Sequence, residues 1–172
     1  EVRNPSGNYE PWLPPGEWQA NDNGDSMSCV SFGANNAIET EEKRQTEQQF
    51  NYSDRWIAKM SGTTEKGNYL STVLDTIKNL GLVLESSYPS PTIPWTWAEY
   101  HKEIPEPLIS QLKAEGQEWL KKWSVNYEWI DISPASLAKH LKHGPIIVIV
   151  PGHLVMNWLN GCPSCRFLPT VA

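Results

Sequence analysis

The sequence predicts an α+β fold. Apolar residues recur at helical spacing early in the chain, most regularly at Leu70, Val73, Leu74, Ile77 and Leu80. Strand patterns come later. Val125, Tyr127 and Trp129 alternate with polar residues, and Ile146 to Val150 is an uninterrupted apolar run. Helices followed by strands, without regular alternation of the two, argue for α+β rather than α/β. At 172 residues the chain has the length of one domain with a sizeable core, so residues 1–172 are expected to form a single unit.

Residues 1–24 are rich in Pro, Gly and Asn and read as an extended, tied-down opening segment with Trp12 and Trp18 as anchors. Asp25-Ser26-Met27-Ser28 is a short polar loop that supplies turn and N-cap chemistry. Cys29 follows at the junction with a helix over residues 29–40, whose apolar positions are Val30, Ala34, Ala37 and Ile38. Thr40 to Gln49 is polar and charged, an exposed helix continuation or a loop. Asn51-Tyr52-Ser53-Asp54 looks like a helix start, and Trp56, Ile57 and Met60 give that helix a short apolar face. Residues 61–68 are a loop by composition. The helix over 70–80 ends at Gly81, as a C′ glycine would end it.

Pro89, Pro91 and Pro94 keep the next stretch from being helical throughout. Leu108, Leu112, Trp119, Leu120 and Trp123 suggest a helix from about Glu106, interrupted or weakened at Gly116. Residues 125–129 read as a half-buried strand. Asp131-Ile132-Ser133-Pro134 is an N-cap with proline at N1, and the short helix it opens runs through Leu137 and Leu141 toward Gly144. Residues 146–150 read as a buried strand, Pro151-Gly152 as a turn, and residues 153–158 as the hairpin partner. The tail from Asn160 has no clear periodicity.

Composition narrows the function classes. The net charge is −6 and no basic run of five exists, which argues against a nucleic-acid surface. The run Ile146–Val150 is far too short to cross a membrane, so a soluble protein is expected. Glu1 to Pro5 lacks the pattern of a signal peptide. Three cysteines are too few for a disulfide framework. Nine tryptophans are many for this length; they are more often bulky, mostly buried side chains than a binding groove.

The chemistry centres on Cys29. A thiol at a helix N-terminus feels the positive end of the macrodipole, which favours the nucleophilic thiolate. A lone cysteine is more often a small buried hydrophobe. A nucleophile also needs a base, and a distant histidine is the usual one. His140 and His143 read as surface residues beside Lys139 and Lys142, and His101 sits in a charged loop. His153 opens a strand directly after a tight turn, a rigid place for a positioned imidazole.

Cysteine before histidine, with the cysteine opening the first helix, resembles the papain-like cysteine peptidases. Ser28-Cys29-Val30-Ser31-Phe32 is similar to that family's Ser-Cys-Trp-Ala-Phe, with Val30 in place of the Trp. Gly67-Asn68-Tyr69 and the helix after it resemble its Gly-Gly-Tyr loop and helix. Gly81 to Pro89, ending Ser87-Tyr88-Pro89, resembles its Gly…Tyr-Pro segment. His143-Gly144-Pro145 and the apolar run resemble its Gly-Pro-strand element, and a histidine then opens the following strand, as His153 does. The separation of Cys29 and His153 falls a little short of the roughly 130–150 residues usual for the family, a deficit that a short hairpin at Pro151-Gly152 would explain.

The resemblance implies a helical N-terminal half carrying Cys29, an antiparallel sheet half carrying His153, and a cleft between them. It implies peptide-bond hydrolysis with no cofactor or metal, a peptide or protein substrate, an oxyanion held by the Cys29 N–H and a glutamine, and backbone bonds to substrate from Gly67 and Asn68. The family's glutamine stands about six residues before the cysteine. That spacing lands on Asn23, whereas Gln19 needs a longer loop over 20–27; Gln19 is preferred because it follows an extended stretch. No cysteine precedes Cys29 to make the family's nearby disulfide, which fits a reducing compartment or a compact, divergent, phage- or bacterial-type member. For the third triad residue only Asn157 and Asn160 follow His153, both closer than the family pattern. Cys162-Pro163-Ser164-Cys165 has the spacing of a redox or half-zinc motif, but a local disulfide or idle thiols fit its surroundings better. Two rival readings stand beside the peptidase: a papain-like binding module that no longer cuts, and a Cys-His amidase acting on cell-wall peptides. Oligomeric state is not legible.

Overall fold

A computed structural model gives the backbone of residues 1–150 and 153–154, with side chains through Ile149. Six α-helices and two short antiparallel pairs are described. They are β1 (Ala20–Asn21), β2 (Gly24–Asp25), α1 (Cys29–Thr46), α2 (Asp54–Met60), α3 (Leu70–Leu80), α4 (Trp97–Tyr100), α5 (Glu106–Leu120), α6 (Pro134–His140), β3 (Ile149–Val150) and β4 (His153–Leu154). The chain is thus mostly helical, with β1 paired to β2 and β3 paired to β4.

α1 is the central element and packs against α2, α3 and the 3₁₀ turn Glu10–Trp12. It buries a continuous run from Val30 to Asn36. α2 starts where Ser53 caps it, the Ser53 hydroxyl accepting from Trp56 N at 3.1 Å, so the expected start is observed. α3 buries Leu70, Val73, Leu74 and Ile77 along one stripe and ends at Gly81, whose φ of 75° suits glycine. These helices and α5 enclose a core of Val30, Trp56, Ile57, Val73, Ile77, Leu82, Leu112 and Trp119, among others. A smaller cluster of Phe32, Ala58, Trp95 and Tyr100 lies apart from it.

Several expectations need correction. Gly116 does not interrupt α5. A Cβ on it would lie 2.1 Å from the Leu80 carbonyl oxygen, and one on Gly81 would lie 2.0 Å from the Gly116 oxygen. The glycine pair lets the end of α3 touch α5 directly. Thr40 to Thr46 is helical, and its Thr40 and Glu42 are buried rather than exposed. Trp18 is 55% exposed, not the buried anchor expected.

The expected strand over 125–129 is not formed among the described residues. Val125 and Tyr127 turn inward and Asn126 and Glu128 outward, but the backbone joins no ladder, and Trp129 is exposed. Alternation sets which side chains face the core; a strand also needs a neighbouring backbone. The run 146–150 is a strand only at 149–150; Ile146 to Val148 are half-buried and Ile149 is 42% exposed. The hairpin expected there is present as Ile149↔Leu154 and Val150↔His153. The sheet half therefore reduces, among the described residues, to this one pair. The Pro151-Gly152 turn and residues 155–158 lie outside the described residues.

The opening segment is tied down as expected. Arg3 N and Asn4 N both donate to the Lys142 carbonyl, at 2.9 and 3.0 Å, just beyond α6.

Polar groups also sit inside the helical layer. Glu42 accepts from Tyr52 OH and, at 3.0 Å, from Trp119 Nε1; Glu39 accepts from Tyr52 N at 2.7 Å; Asp54 accepts from Asn35 Nδ2 at 2.9 Å. Glu39 and Glu42 are each 2% exposed. Burial pushes the Glu39 carboxyl up to about 8 against the opposing bond from Tyr52 N–H, and nearby Glu17, Glu42 and Glu85 push the same way. Burial pushes Glu42 up to about 7 despite its two donors. Burial, then the charge of Glu17, holds Asp54 well above the ordinary carboxylate range.

Candidate active site

Cys29 is the first residue of α1, with Ser28 at the N-cap. The Ser28 carbonyl accepts from Ser31 N at 2.8 Å and Phe32 N at 3.1 Å, which closes the first turn. Cys29 is half-buried and packs at the edge of the core. Its thiol therefore stands at the positive end of an 18-residue helix, as the sequence suggested.

The loop that delivers the chain to Cys29 is tightly built. Residues 20–25 form a hairpin in which Ala20 pairs with Asp25 and Asn21 with Gly24. Ser26 N donates to the Gln19 carbonyl at 2.9 Å and so extends that ladder. Asp25 Oδ1 accepts from Met27 N at 2.7 Å, an Asx turn. Met27 holds a φ of 55°, a left-handed conformation that costs a residue with a Cβ. The Ser26 and Ser28 hydroxyls bond each other, and Ser28 Oγ donates to Tyr100 OH at 3.4 Å.

Gln19 is half-buried, and its Nε2 donates to Asp25 Oδ1 and Oδ2 at 3.3 and 3.4 Å. Asn23 is exposed at the turn of the hairpin, its N–H bonded to Asn21 Oδ1 at 2.9 Å. Gly67 faces Cys29's loop from the other side: a Cβ there would lie 3.7 Å from the Met27 carbonyl oxygen. Its φ of 84° closes a turn in which Gly67 N donates to Thr64 O at 2.8 Å. Asn68 uses its side chain inward, donating to Ser61 O at 3.0 Å and Ser61 Oγ at 2.8 Å while accepting from Tyr69 N at 2.7 Å.

The fold thus gathers Gln19, Met27 and Gly67 around the approach to Cys29. It brings in Tyr100, which the sequence did not flag, and gives Asp25 and His101 parts the sequence did not assign them. His101, expected in a charged loop, lies in the turn that caps α4 at its C-terminal end. It is half-buried, its ring centroid is 3.7 Å from that of Trp97, and its Nε2–H donates to the Ser26 carbonyl at 2.9 Å. Burial lowers its pKa, with Lys59 and Arg55 adding to the effect and the Ser26 bond opposing it. Burial, then the charge of Asp54, raises the Tyr100 phenol, which stays protonated. The His153 side chain, Asn157, Asn160, Cys162 and Cys165 lie outside the described residues. Among the described residues no group of three His, Cys, Asp or Glu side chains gathers as a metal site, and no helix is long and apolar enough to cross a membrane.

Substitution separates the two candidate oxyanion donors. For a chain that hydrolyses peptides with Gln19 as donor, Gln19→Ala lowers kcat by roughly 100-fold, the usual loss for one preorganised donor, with little change in melting temperature. Asn23→Ala should be near silent. The reverse pattern would move the donor role to Asn23.

No family model and no curated protein matches the chain. A solved structure it is similar to is a crystal structure of the Amb a 11 cysteine protease, a major ragweed pollen allergen, in its proform. The two share 17% identity at a TM-score of 0.44, over 74% of this chain. The chain spans 36% of the length of that structure. This is a distant likeness to one papain-like cysteine protease proform.

Proposed function

We propose that the chain is a cysteine-type peptidase whose nucleophile is Cys29 and whose base is His153. The observation that carries this reading is the placement of Cys29: half-buried, first in α1, at the end of a hairpin fixed on one side by α4 and bordered on the other by the Gly67 turn.

The Cys29 thiolate attacks the peptide carbonyl carbon, and the carbonyl π pair moves onto oxygen. The Cys29 N–H and the Gln19 carboxamide hold that oxyanion. Gln19 Nε2 carries two hydrogens, so it can serve Asp25 and still offer one to the substrate. The oxyanion pair returns, the C–N bond breaks, and the His153 imidazolium gives its proton to the leaving amine. Water, deprotonated by His153, then attacks the thioester carbonyl and releases the acid and the Cys29 thiolate. Gly67 and Asn68 offer backbone groups to an extended peptide. The sheet half carrying His153 closes the cleft against the helices in this reading, and the chain works as one domain.

Iodoacetamide alkylation tests it. Cys29 should react well below pH 7, because a helix N-terminus and an adjacent imidazolium both favour the thiolate. His153→Ala should remove that acid-side reactivity, and Cys29→Ala should abolish peptide cleavage. A profile rising only near the unperturbed thiol pKa of about 8.5 would favour the non-cutting module. Cleavage of cell-wall peptides alone would favour the amidase.

A further inference from the structure

We infer that His101 is a positioning residue for Cys29, its ring nitrogen fixing the carbonyl of Ser26 and with it the bend at Met27 that delivers the chain into α1. The inference rests on the peptidase reading only where hydrolysis is the readout.

The chain of contacts starts in α2. Arg55 donates from Nε to Tyr100 O at 2.6 Å and from Nη2 to Glu99 O at 2.8 Å, while Lys59 Nζ donates to His101 O at 2.9 Å. These two cations hold the carbonyls at the C-terminal end of α4, where positive charge is favoured. At the other end, Thr96 and Glu99 form a capping box. A four-residue helix is thereby fixed at both ends. The close, tilted contact with Trp97 then holds the His101 ring. Across 75 residues of sequence that ring meets the Ser26 carbonyl, two residues before the N-cap Ser28.

A carbonyl only accepts, so Nε2 carries the proton. The bond survives protonation of the ring, because Nε2 keeps its hydrogen in both forms. Tyr100, the neighbouring residue, meets Ser28 Oγ. α4 therefore grips the loop on both sides of Met27, the residue whose φ of 55° needs its surroundings to hold it. Without the His101 donor, Met27 can relax, and the Cys29 thiol loses its fixed place at the helix end.

Two variants separate the donor from the ring. His101→Phe keeps a ring against Trp97 and removes the N–H; His101→Gln loses the ring contact and keeps an amide donor. The readout is the rate of Cys29 alkylation by iodoacetamide, located by mass spectrometry, with melting temperature measured alongside. H101F should slow alkylation by about 10-fold and raise its pH midpoint, as small misplacements of a reacting group do. H101Q should stay within about threefold of the wild type. On a peptide substrate the loss should fall on kcat and leave KM within about twofold. Nitrogen NMR of the wild-type protein should show His101 as the neutral Nε2–H tautomer at pH 7, a measurement that stands even if H101F fails to fold. An Nδ1–H tautomer, or H101F alkylating within about twofold of the wild type, overturns the inference. A wild type that alkylates but cuts no peptide overturns the peptidase reading instead, and the alkylation comparison still decides the part played by His101.

Discussion

The protein should melt at a markedly higher temperature at pH 5 than at pH 8. Glu39 and Glu42 are buried and hold their protons to about 8 and about 7, well above the ordinary glutamate range. In an unfolded chain both ionise near pH 4.5. Between those limits the folded state binds more protons than the unfolded one, so stability falls as pH rises. The contribution is full below the unfolded pKa and lost progressively up to about pH 8. Each unit of displacement is worth about 1.4 kcal/mol, so the two carboxyls together amount to several kcal/mol. Asp54 acts in the same direction. His101, lowered by burial, acts in the opposite direction near its own titration, as does Glu41, whose bonds from Arg44 and Gln45 outweigh its burial at the acid end. A folded domain has only about 5–15 kcal/mol in hand, so the carboxyls should dominate. Thermal melts at the two pH values test this, and equal or reversed melting temperatures would count against it. Glu42→Gln should reduce the dependence without removing it, because an amide oxygen still accepts from Tyr52 or Trp119 while Glu39 and Asp54 still ionise.

Gly116→Ala should cost roughly 3 kcal/mol or more, the upper range for overpacking. In an open helix the same change would gain about 1 kcal/mol from helix propensity. Here the new Cβ would lie 2.1 Å from the Leu80 oxygen, a backbone atom that no rotamer change can move aside. α3 and α5 would have to separate, and with them the Leu112–Ile77 side of the core. Gly144→Ala is the control, since a Cβ there meets nothing within 4 Å. Urea midpoints compare the two. If G116A unfolds at the wild-type midpoint, the helices are not in contact through this glycine.

What the sequence made legible was what neighbours in sequence decide. α3 is written in the spacing from Leu70 to Ile77 and in Gly81, and α2 in the Ser53 cap. What it hid depends on residues far away. Gly116 looked like a helix breaker because its reason for being small is Leu80. Glu42 looked like a surface residue because its partners, Tyr52 and Trp119, come from two other segments. Residues 125–129 carried the alternation of a strand, but alternation says nothing about whether another backbone is alongside. At the site, the Cys29 helix start could be read from Ser28 onward. The grip of His101 on Ser26 could not, since no local pattern marks a ring that bonds a carbonyl 75 positions earlier.

The opening segment bears on the order in which the molecule assembles. Asn4 builds its own small knot, donating from Nδ2 to Asn8 O at 2.8 Å and accepting from Ser6 Oγ at 2.7 Å. That knot needs only residues close in sequence, so it can form as soon as they leave the ribosome. Its docking site cannot. Arg3 N and Asn4 N find their acceptor at Lys142, and Gly7 packs where a Cβ would come 3.3 Å from Leu141. The contact closes a loop of nearly the whole described chain, the slowest kind to form. During synthesis the first residues must wait, already shaped, until α6 has emerged.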